Sequence, residues 1–290
     1  MSDSCNSCSA SGTCSGESCS TTPELTEAQK VSHIGKVIAV MSGKGGVGKS
    51  SVTGMLAVSL KRLGYKVGIL DADITGPSIP KIFGVTEKAT VNPTGVMPPL
   101  SSGGIKIMSL NLMLENEDDP VIWRGSIITQ LVNQFWTDVV WGELDYLLID
   151  MPPGTGDVPI TVFQSLPVDG IVVVSSPQQL ANMVVRKAIK MAKKYDLSFY
   201  GLIENMTYVE CPDCRHRIQI FGKPQGRAEA QRSEIPYLGE LPIDPDLASL
   251  SDAGKIEDYQ SVAFTEIGEQ LTEEMKKSSA LNPSKLNLKL

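Results

Sequence analysis

The sequence lacks any run of about 18 apolar residues, which argues against a membrane-spanning helix. Its first 22 residues also lack the basic region and the apolar core of a signal peptide. The net charge of −7 leaves no excess of basic residues, and broad binding to nucleic acid or to anionic membranes needs such an excess. We therefore expect a cytoplasmic protein that binds neither membranes nor nucleic acid.

Cysteine is scarce, and the six cysteines of the chain fall into two groups. In a reducing compartment, closely spaced cysteines are more often metal ligands than disulfides. The first group lies in residues 1–24, which are mostly small and polar and predict a disordered tail. Four thiolates could hold zinc or an iron–sulfur cluster, and a tail without a stable metal is the alternative. The cysteines of this group are Cys5, Cys8, Cys14 and Cys19.

Glycine is concentrated in residues 43–50, which read GKGGVGKS. An apolar run precedes this segment and helical spacing follows it, which is the strand–loop–helix context of a phosphate-binding P-loop. We predict that Lys49 contacts the β- and γ-phosphates of a nucleotide and that Ser50 ligates Mg²⁺. A glycine-rich turn in an unrelated α/β domain is the alternative. The predicted nucleotide-binding residues of the loop are Gly43, Lys44, Gly45, Gly46, Val47, Gly48, Lys49, Ser50 and Ser51.

Strand and helix patterns alternate from residue 36 onward. This alternation predicts an α/β fold with a single doubly wound, mostly parallel sheet, in one domain of residues 25–278 with a frayed tail at 279–290. We further expect a short helix at 25–33 and an irregular surface loop at 92–104. The predicted strands after the P-loop are residues 67–70, 105–110, 146–150, 170–175, 199–206 and 237–241. The predicted helices are residues 52–63, 128–139, 181–195 and 264–275.

Acidic residues follow two of the predicted strands. Asp71 and Asp73 come after the strand at 67–70, and Asp150 ends the strand at 146–150 before a glycine- and proline-rich loop. Ligands bind at the carboxyl ends of the strands in open parallel sheets, so these carboxylates are expected near the P-loop. A buried apolar strand that ends in aspartate is typical of a Walker B motif. Asp150 is therefore predicted to hold the Mg²⁺ shell.

The second cysteine group is a C-x-x-C motif, Cys211 and Cys214, in a polar loop. Two thiolates at this spacing can bind one metal, whereas a thioredoxin-type pair with the same spacing should open a helix. Two sulfurs half fill a four-coordinate site, and a second copy related by two-fold symmetry would supply the others. The N-terminal cysteines could instead complete the site, or the pair could belong to a structural zinc site.

Together these motifs resemble the Mrp/NBP35 (ApbC-like) family of iron–sulfur cluster carrier ATPases, over residues 36–268. The resemblance implies a P-loop NTPase fold and ATP, Mg²⁺ and a [4Fe–4S] cluster as cofactors. It also implies a homodimer that bridges the cluster through Cys211 and Cys214. The cluster would pass from cluster-assembly scaffold proteins to apo-proteins, coupled to slow ATP hydrolysis. The matching segments are residues 44–50, 71–73, 76–78, 123–125, 150–157, 204–206 and 211–214.

The resemblance also implies roles for single residues. Lys44 marks the deviant P-loop class, in which this lysine reaches the nucleotide of the facing subunit. Asp73 would orient or activate the attacking water, Asp150 would be the Walker B and switch II acid, and Asn205 would contact adenine. The N-terminal cysteines match the second cluster site of the family only in part, because its upstream cysteine is missing here.

Three other functions share some of these motifs. A MinD- or ParA-like positioning ATPase would need a membrane anchor or a DNA-binding face, and residues 284–290 are too short for a persuasive anchor. A reductase with a bridging cluster would place single cysteines elsewhere. A zinc-stabilised nucleotide switch would differ in the metal that it binds. Metal content therefore separates most of these hypotheses.

Overall fold

The computed structural model describes residues 25–73, 78–109, 112–113, 125–154, 157–195 and 197–281. The cysteine-rich tail, with Cys5, Cys8, Cys14 and Cys19, and the C-terminal tail from residue 282 lie outside these ranges. Residues 76–77 and 123–124, parts of two motifs that carry the family resemblance, also lie outside them. The predictions for these segments stay predictions.

Strands and helices alternate along the described chain. The strands are β1 (His33–Ser42), β2 (Val67–Asp71), β3 (Thr90–Asn92), β4 (Gly95–Met97), β5 (Lys106–Ser109), β6 (Glu143–Asp150), β7 (Gly170–Ser175), β8 (Ser198–Glu204), β9 (Val209–Glu210), β10 (Arg217–Ile218) and β11 (Tyr237–Glu240). The helices are α1 (Glu27–Lys30), α2 (Lys49–Arg62), α3 (Ile79–Ile82), α4 (Gly125–Thr137), α5 (Asp157–Ser165), α6 (Gln179–Lys194), α7 (Gly226–Ser233), α8 (Pro245–Asp252) and α9 (Val262–Leu281), with a 3-10 turn at Ile256–Asp258.

The main sheet has seven strands in the order β11-β8-β7-β1-β6-β2-β5. Each neighbouring pair runs parallel. Two short antiparallel pairs, β3–β4 and β9–β10, stand outside this sheet. The predicted doubly wound α/β fold is confirmed. In such a sheet the carboxyl ends of the central strands, here β1 and its neighbours β6 and β7, are where ligands bind.

Both faces of the sheet are buried, which explains why β1 reads as a continuous apolar run. Ile38 and Val40 pack on one face with residues of α2, α3 and α9. Val37, Ala39 and Met41 point to the other face, where residues of α4, α5, α6 and α7 cover the strand. Two apolar layers therefore hold the central strand in place and fix the position of the loop that follows it.

The structure corrects the sequence prediction in two places. The helix expected at 25–33 covers only Glu27–Lys30, and His33 begins β1 instead. The loop expected at 92–104 begins with the β3–β4 hairpin, in which the Asn92 carboxamide oxygen accepts N–H bonds from Thr94 and Gly95. This Asx turn gives the proline- and glycine-rich segment a regular start. Among the described residues, no helix is both long and apolar enough to cross a bilayer.

Candidate functional site

The P-loop connects β1 to α2 and carries a cleft of about 220 Å³. Gly48, at the N-cap of α2, has a left-handed conformation with φ 76°, and no side chain of the described chain caps this helix. The first amides of α2 therefore keep their hydrogen-bonding capacity for an anion. The cleft is lined by Ser42, Lys44, Gly45, Gly46, Val47, Gly48, Lys49, Ser50, Ser51, Asp73 and Pro153.

The loop that sequence analysis predicted is thus assembled around one cleft. Gly43 is buried beside it and does not line it. Asp150 lies beneath the cleft and is fully buried. Its carboxylate pairs with Lys49 Nζ at 2.7 Å and accepts a hydrogen bond from Ser50 Oγ at 2.6 Å. The structure therefore connects the P-loop lysine and serine directly to the predicted Walker B aspartate.

Asp71 is a second buried carboxyl at this site. It is aligned with Asp150 in the β2–β6 pairing, and it accepts N–H bonds from Asp73, Ser78 and Ile79 at 3.0–3.1 Å. Burial, with the neighbouring Asp150 charge as the second cause, raises the pKa of Asp71 to about 8. Asp71 therefore keeps a proton more readily than an ordinary aspartate does, and Asp150 is the carboxyl group that pairs with Lys49.

The donor set at the base of the cleft suits Mg²⁺. The Ser50 hydroxyl and the Asp150 carboxylate are hard oxygen donors, and they lie within 2.6 Å of each other. Magnesium held at such a position would neutralise phosphate charge and keep several waters. The Ser50 hydroxyl would be a ligand of the Mg²⁺ ion, and Asp150 would hold the shell of ligands around the ion.

The remaining predicted residues lie around this centre. Lys44 Nζ donates a hydrogen bond to Gln178 Oε1, at the N-cap of α6, within the same chain. Asp73 lines the cleft. Asn205 is buried under the loop, where its Nδ2 donates to the Val47 carbonyl at 2.9 Å. The adenine contact predicted for Asn205 stays a prediction.

Replacing Gly48 with alanine is expected to destabilise the protein more than the same change at Gly46. Both glycines have φ 76°, so both variants share the left-handed strain. A Cβ at Gly48 would lie 2.4 Å from Asn205 Nδ2, whereas nothing lies within 4 Å of one at Gly46. We expect an additional loss of about 1–3 kcal/mol in the free energy of unfolding, measured by urea titration. Equal losses in the two variants would contradict the close packing on Asn205.

The C-x-x-C motif forms a turn between β9 and β10. We call residues 209–218 the cysteine ribbon. Cys211 N–H donates to the His216 carbonyl at 3.0 Å, and Arg215 N–H donates to the Cys211 carbonyl at 2.8 Å. Cys214 is exposed and Cys211 is half-buried. The N–H groups of Cys214 and Asp213 donate to the Cys211 sulfur and lower the pKa of this thiol. Such a turn favours thiolate ligands, and it does not open a helix as a thioredoxin-type pair would.

The Arg217 side chain of the ribbon contacts the residue before the ribbon and the end of β11. The Arg217 guanidinium lies 4.3 Å from the centre of the Tyr208 ring and 3.9 Å from Glu240 Oε1. Within the described ranges no group of three or more His, Cys, Asp or Glu side chains could hold a metal. Cys211 and Cys214 thus form a surface pair of metal-ligand type, of which Cys214 is the exposed member.

Sequence reasoning missed two contacts of the nucleotide site. Thr53 Oγ1 donates to Asp150 Oδ1 at 2.7 Å, one helical turn after Lys49. Thr53 lies four residues after Lys49 in the same helix, and this spacing could have identified it from sequence. Gln178, the partner of Lys44, carries no such signal, because only the tertiary fold brings the start of α6 beside the P-loop.

Comparison with known proteins points to one family. Residues 33–276 match the ParA family model described as NUBPL iron-transfer P-loop NTPase. A protein of Clostridium perfringens named iron–sulfur cluster carrier protein is 46% identical over 268 residues, covering 88% of this chain and 94% of that protein. A protein of the same name from Methanocaldococcus jannaschii is 45% identical, covering 78% of this chain and 79% of its own length.

Solved structures give the same fold. A nucleotide-binding protein from Archaeoglobus fulgidus in complex with ADP superposes with a TM-score of 0.72 at 47% identity, covering 80% of this chain and 91% of that one. The cell division ATPase MinD of Pyrococcus furiosus superposes with a TM-score of 0.62 at 21% identity, covering 84% of this chain and 99% of that one. At that identity the second likeness bears on the fold alone.

Proposed function

The chain belongs to the ParA/NUBPL family of iron-transfer P-loop NTPases, and from this premise we propose that it is an ATP-dependent iron–sulfur cluster carrier. In this proposal two copies hold one [4Fe–4S] cluster and pass it to apo-proteins. The observation that carries it is the exposed Cys211–Cys214 turn on a P-loop domain, because exposed thiolates can both bind a cluster and release it.

The nucleotide part of the proposal rests on the cleft and on the ADP complex of the Archaeoglobus relative. ATP would enter with its phosphates against the glycines of the loop, and Lys49 would leave Asp150 for the phosphates. Asp150 and Ser50 would then hold Mg²⁺, and Asp73 would orient the attacking water. Lys44 would leave Gln178 and reach the nucleotide of the second copy. We expect turnover to be slow, because hydrolysis would need both copies in place.

The cluster part rests on the chemistry of the ribbon. Two thiolates per chain supply half of the ligands of a [4Fe–4S] cluster, and a two-fold dimer supplies all four. Transfer would be ligand exchange: thiols of the acceptor lose their protons and bind iron, and Cys211 and Cys214 take up protons as their Fe–S bonds break. No electron moves in this exchange. Hydrolysis would change the separation of the two ribbons and so the stability of the bridged state.

A transfer assay tests this function. The protein is loaded anaerobically with iron and sulfide and mixed with an apo-ferredoxin that takes a [4Fe–4S] cluster. We expect the ferredoxin to gain its visible absorption even with an iron chelator present, and the rate to differ between ATP and ADP. Transfer that the chelator suppresses would mean release of free iron. Purified protein that takes up zinc and no iron would reject the carrier function.

A further inference from the structure

The Lys44 side chain has a partner whose place in the fold is not explained by the helix that it begins. Lys44 lines the nucleotide cleft, and its Nζ donates a hydrogen bond to Gln178 Oε1 of the same chain. Gln178 is the N-cap residue of α6, and its side chain makes no capping hydrogen bond. N-cap positions favour serine, threonine, aspartate and asparagine, so capping does not account for a glutamine here. The contact with Lys44 is therefore a separate role for this side chain.

The sheet and Asn205 keep the two partners beside each other. β1 and β7 are adjacent parallel strands, so the P-loop and the connection from β7 to α6 leave the sheet at the same edge. Asn205 joins the two segments, because its backbone N–H donates to the Ser175 carbonyl at 2.8 Å and its Nδ2 donates to the Val47 carbonyl at 2.9 Å. Lys44 and Gln178 thus extend from two segments that the fold holds together.

The chemistry of the contact makes it reversible. The Gln178 amide oxygen is uncharged, and it is a weaker partner for an ammonium group than a phosphate oxygen is. Lys44 also lies at the N-terminus of α6, where the helix dipole disfavours a cation. The phosphates of a nucleotide can therefore take Lys44 from Gln178, whereas a carboxylate at position 178 would hold the lysine more strongly.

We propose that Gln178 is a positioning residue that holds Lys44 within its own chain until a second, nucleotide-bound copy arrives. This inference rests on the ATP-bound dimer of the proposed function, in which Lys44 reaches the nucleotide of the second copy. Each copy gives up one Lys44–Gln178 hydrogen bond when that dimer forms, so the two contacts oppose assembly. The side chain at position 178 thereby sets how readily two ATP-bound copies associate.

Two replacements of Gln178 are expected to act in opposite directions. Gln178→Ala removes the partner of Lys44, so no hydrogen bond has to be broken and the dimer should form more readily. Gln178→Glu keeps the size of the side chain and adds a negative charge, so an ion pair has to be broken in each copy and the dimer should form less readily. A residue that only supported the fold would give the same sign of change in both variants.

Sedimentation equilibrium with Mg²⁺ and a non-hydrolysable ATP analogue measures the dissociation constant of the dimer. Relative to the wild type, we expect a constant at least about tenfold lower for Gln178→Ala and at least about tenfold higher for Gln178→Glu, which is about threefold per copy. The effect of the glutamate should shrink at high salt, which screens an ion pair at the surface. Gln270→Ala and Gln270→Glu are the matched controls, because Gln270 is exposed on α9 and does not line the cleft. Both should associate as the wild type does.

Several results would overturn the inference. Weaker dimers in both Gln178 variants would make this residue a contact with the second copy, and wild-type dimers in both would mean that its contact with Lys44 does not oppose assembly. A loss of ADP affinity in Gln178→Glu, as large as its loss of dimerisation, would assign the effect to repulsion between the glutamate and the phosphates. A wild type that stays monomeric with the analogue would reject the proposed dimer and this inference with it. A wild type that forms the dimer and binds no iron would reject the carrier function and leave this inference standing.

Discussion

Replacement of Lys49 with alanine is expected to abolish ATP binding and nucleotide-dependent cluster transfer. The lysine side chain is 6% exposed and lines the cleft, and its Nζ lies 2.7 Å from Asp150 Oδ1. Its loss would remove a charge-assisted contact to the phosphates that is worth about 2–5 kcal/mol in a buried pair. We expect ATP affinity to fall at least about 30-fold. Isothermal titration with ATP and Mg²⁺ measures this change.

The same replacement should also lower the free energy of unfolding. Removing one partner of a buried ion pair leaves an uncompensated charge and typically costs about 3–5 kcal/mol. The hydrogen bonds that Asp150 accepts from Ser50 and Thr53 offset part of this loss. A second variant, Lys49→Ala with Asp150→Asn, removes the uncompensated charge. We expect it to regain most of the stability and none of the ATP binding.

Lys61→Ala provides the matched control, because this lysine lies in the last turn of the same helix, away from the cleft. It should bind ATP as the wild type does. If the folded Lys49→Ala protein delivered its cluster at the wild-type rate, with the wild-type response to ATP, the coupling of nucleotide to cluster would be rejected.

The strands and the P-loop could be predicted from sequence because their signals are local. Ile38 and Val40 face one apolar layer and Ala39 faces the other, so the run that contains them reads as a buried strand whatever its partners. Gly48 needs a positive φ to begin α2, and only a glycine-rich segment supplies it readily.

The rest of the site depends on long-range register. Asp71 and Asp150 are far apart in the chain, and only the β2–β6 pairing places the carboxyl groups side by side and raises the pKa of Asp71. The contact between Lys44 and Gln178 likewise requires β1 and β7 to be neighbours. Sequence patterns placed these acidic residues at the edge of the sheet where ligands bind. They could not indicate that burial beside Asp150 raises the pKa of Asp71.

Replacement of both Cys211 and Cys214 with alanine is expected to remove the cluster that the dimer bridges. The wild type, loaded anaerobically, should hold about four irons per dimer if the ribbons provide the only site, and the double variant should hold none. Asp213→Asn is the matched control, because it leaves the two thiols and the N–H bonds to Cys211 in place. Iron, sulfide and zinc analysis with a visible spectrum gives the result.

Other outcomes of this experiment distinguish between the remaining hypotheses about the metal sites. About eight irons per dimer, with half surviving in the variant, would assign a second cluster to Cys5, Cys8, Cys14 and Cys19. About four irons per chain that the variant loses entirely, in a monomer, would mean that the N-terminal cysteines complete the ribbon site within one chain. Zinc without a visible charge-transfer band would indicate a structural metal on a nucleotide switch. Cluster chemistry at this fold therefore depends on whether the thiols of Cys211 and Cys214 meet two more thiols, and on which segment provides them.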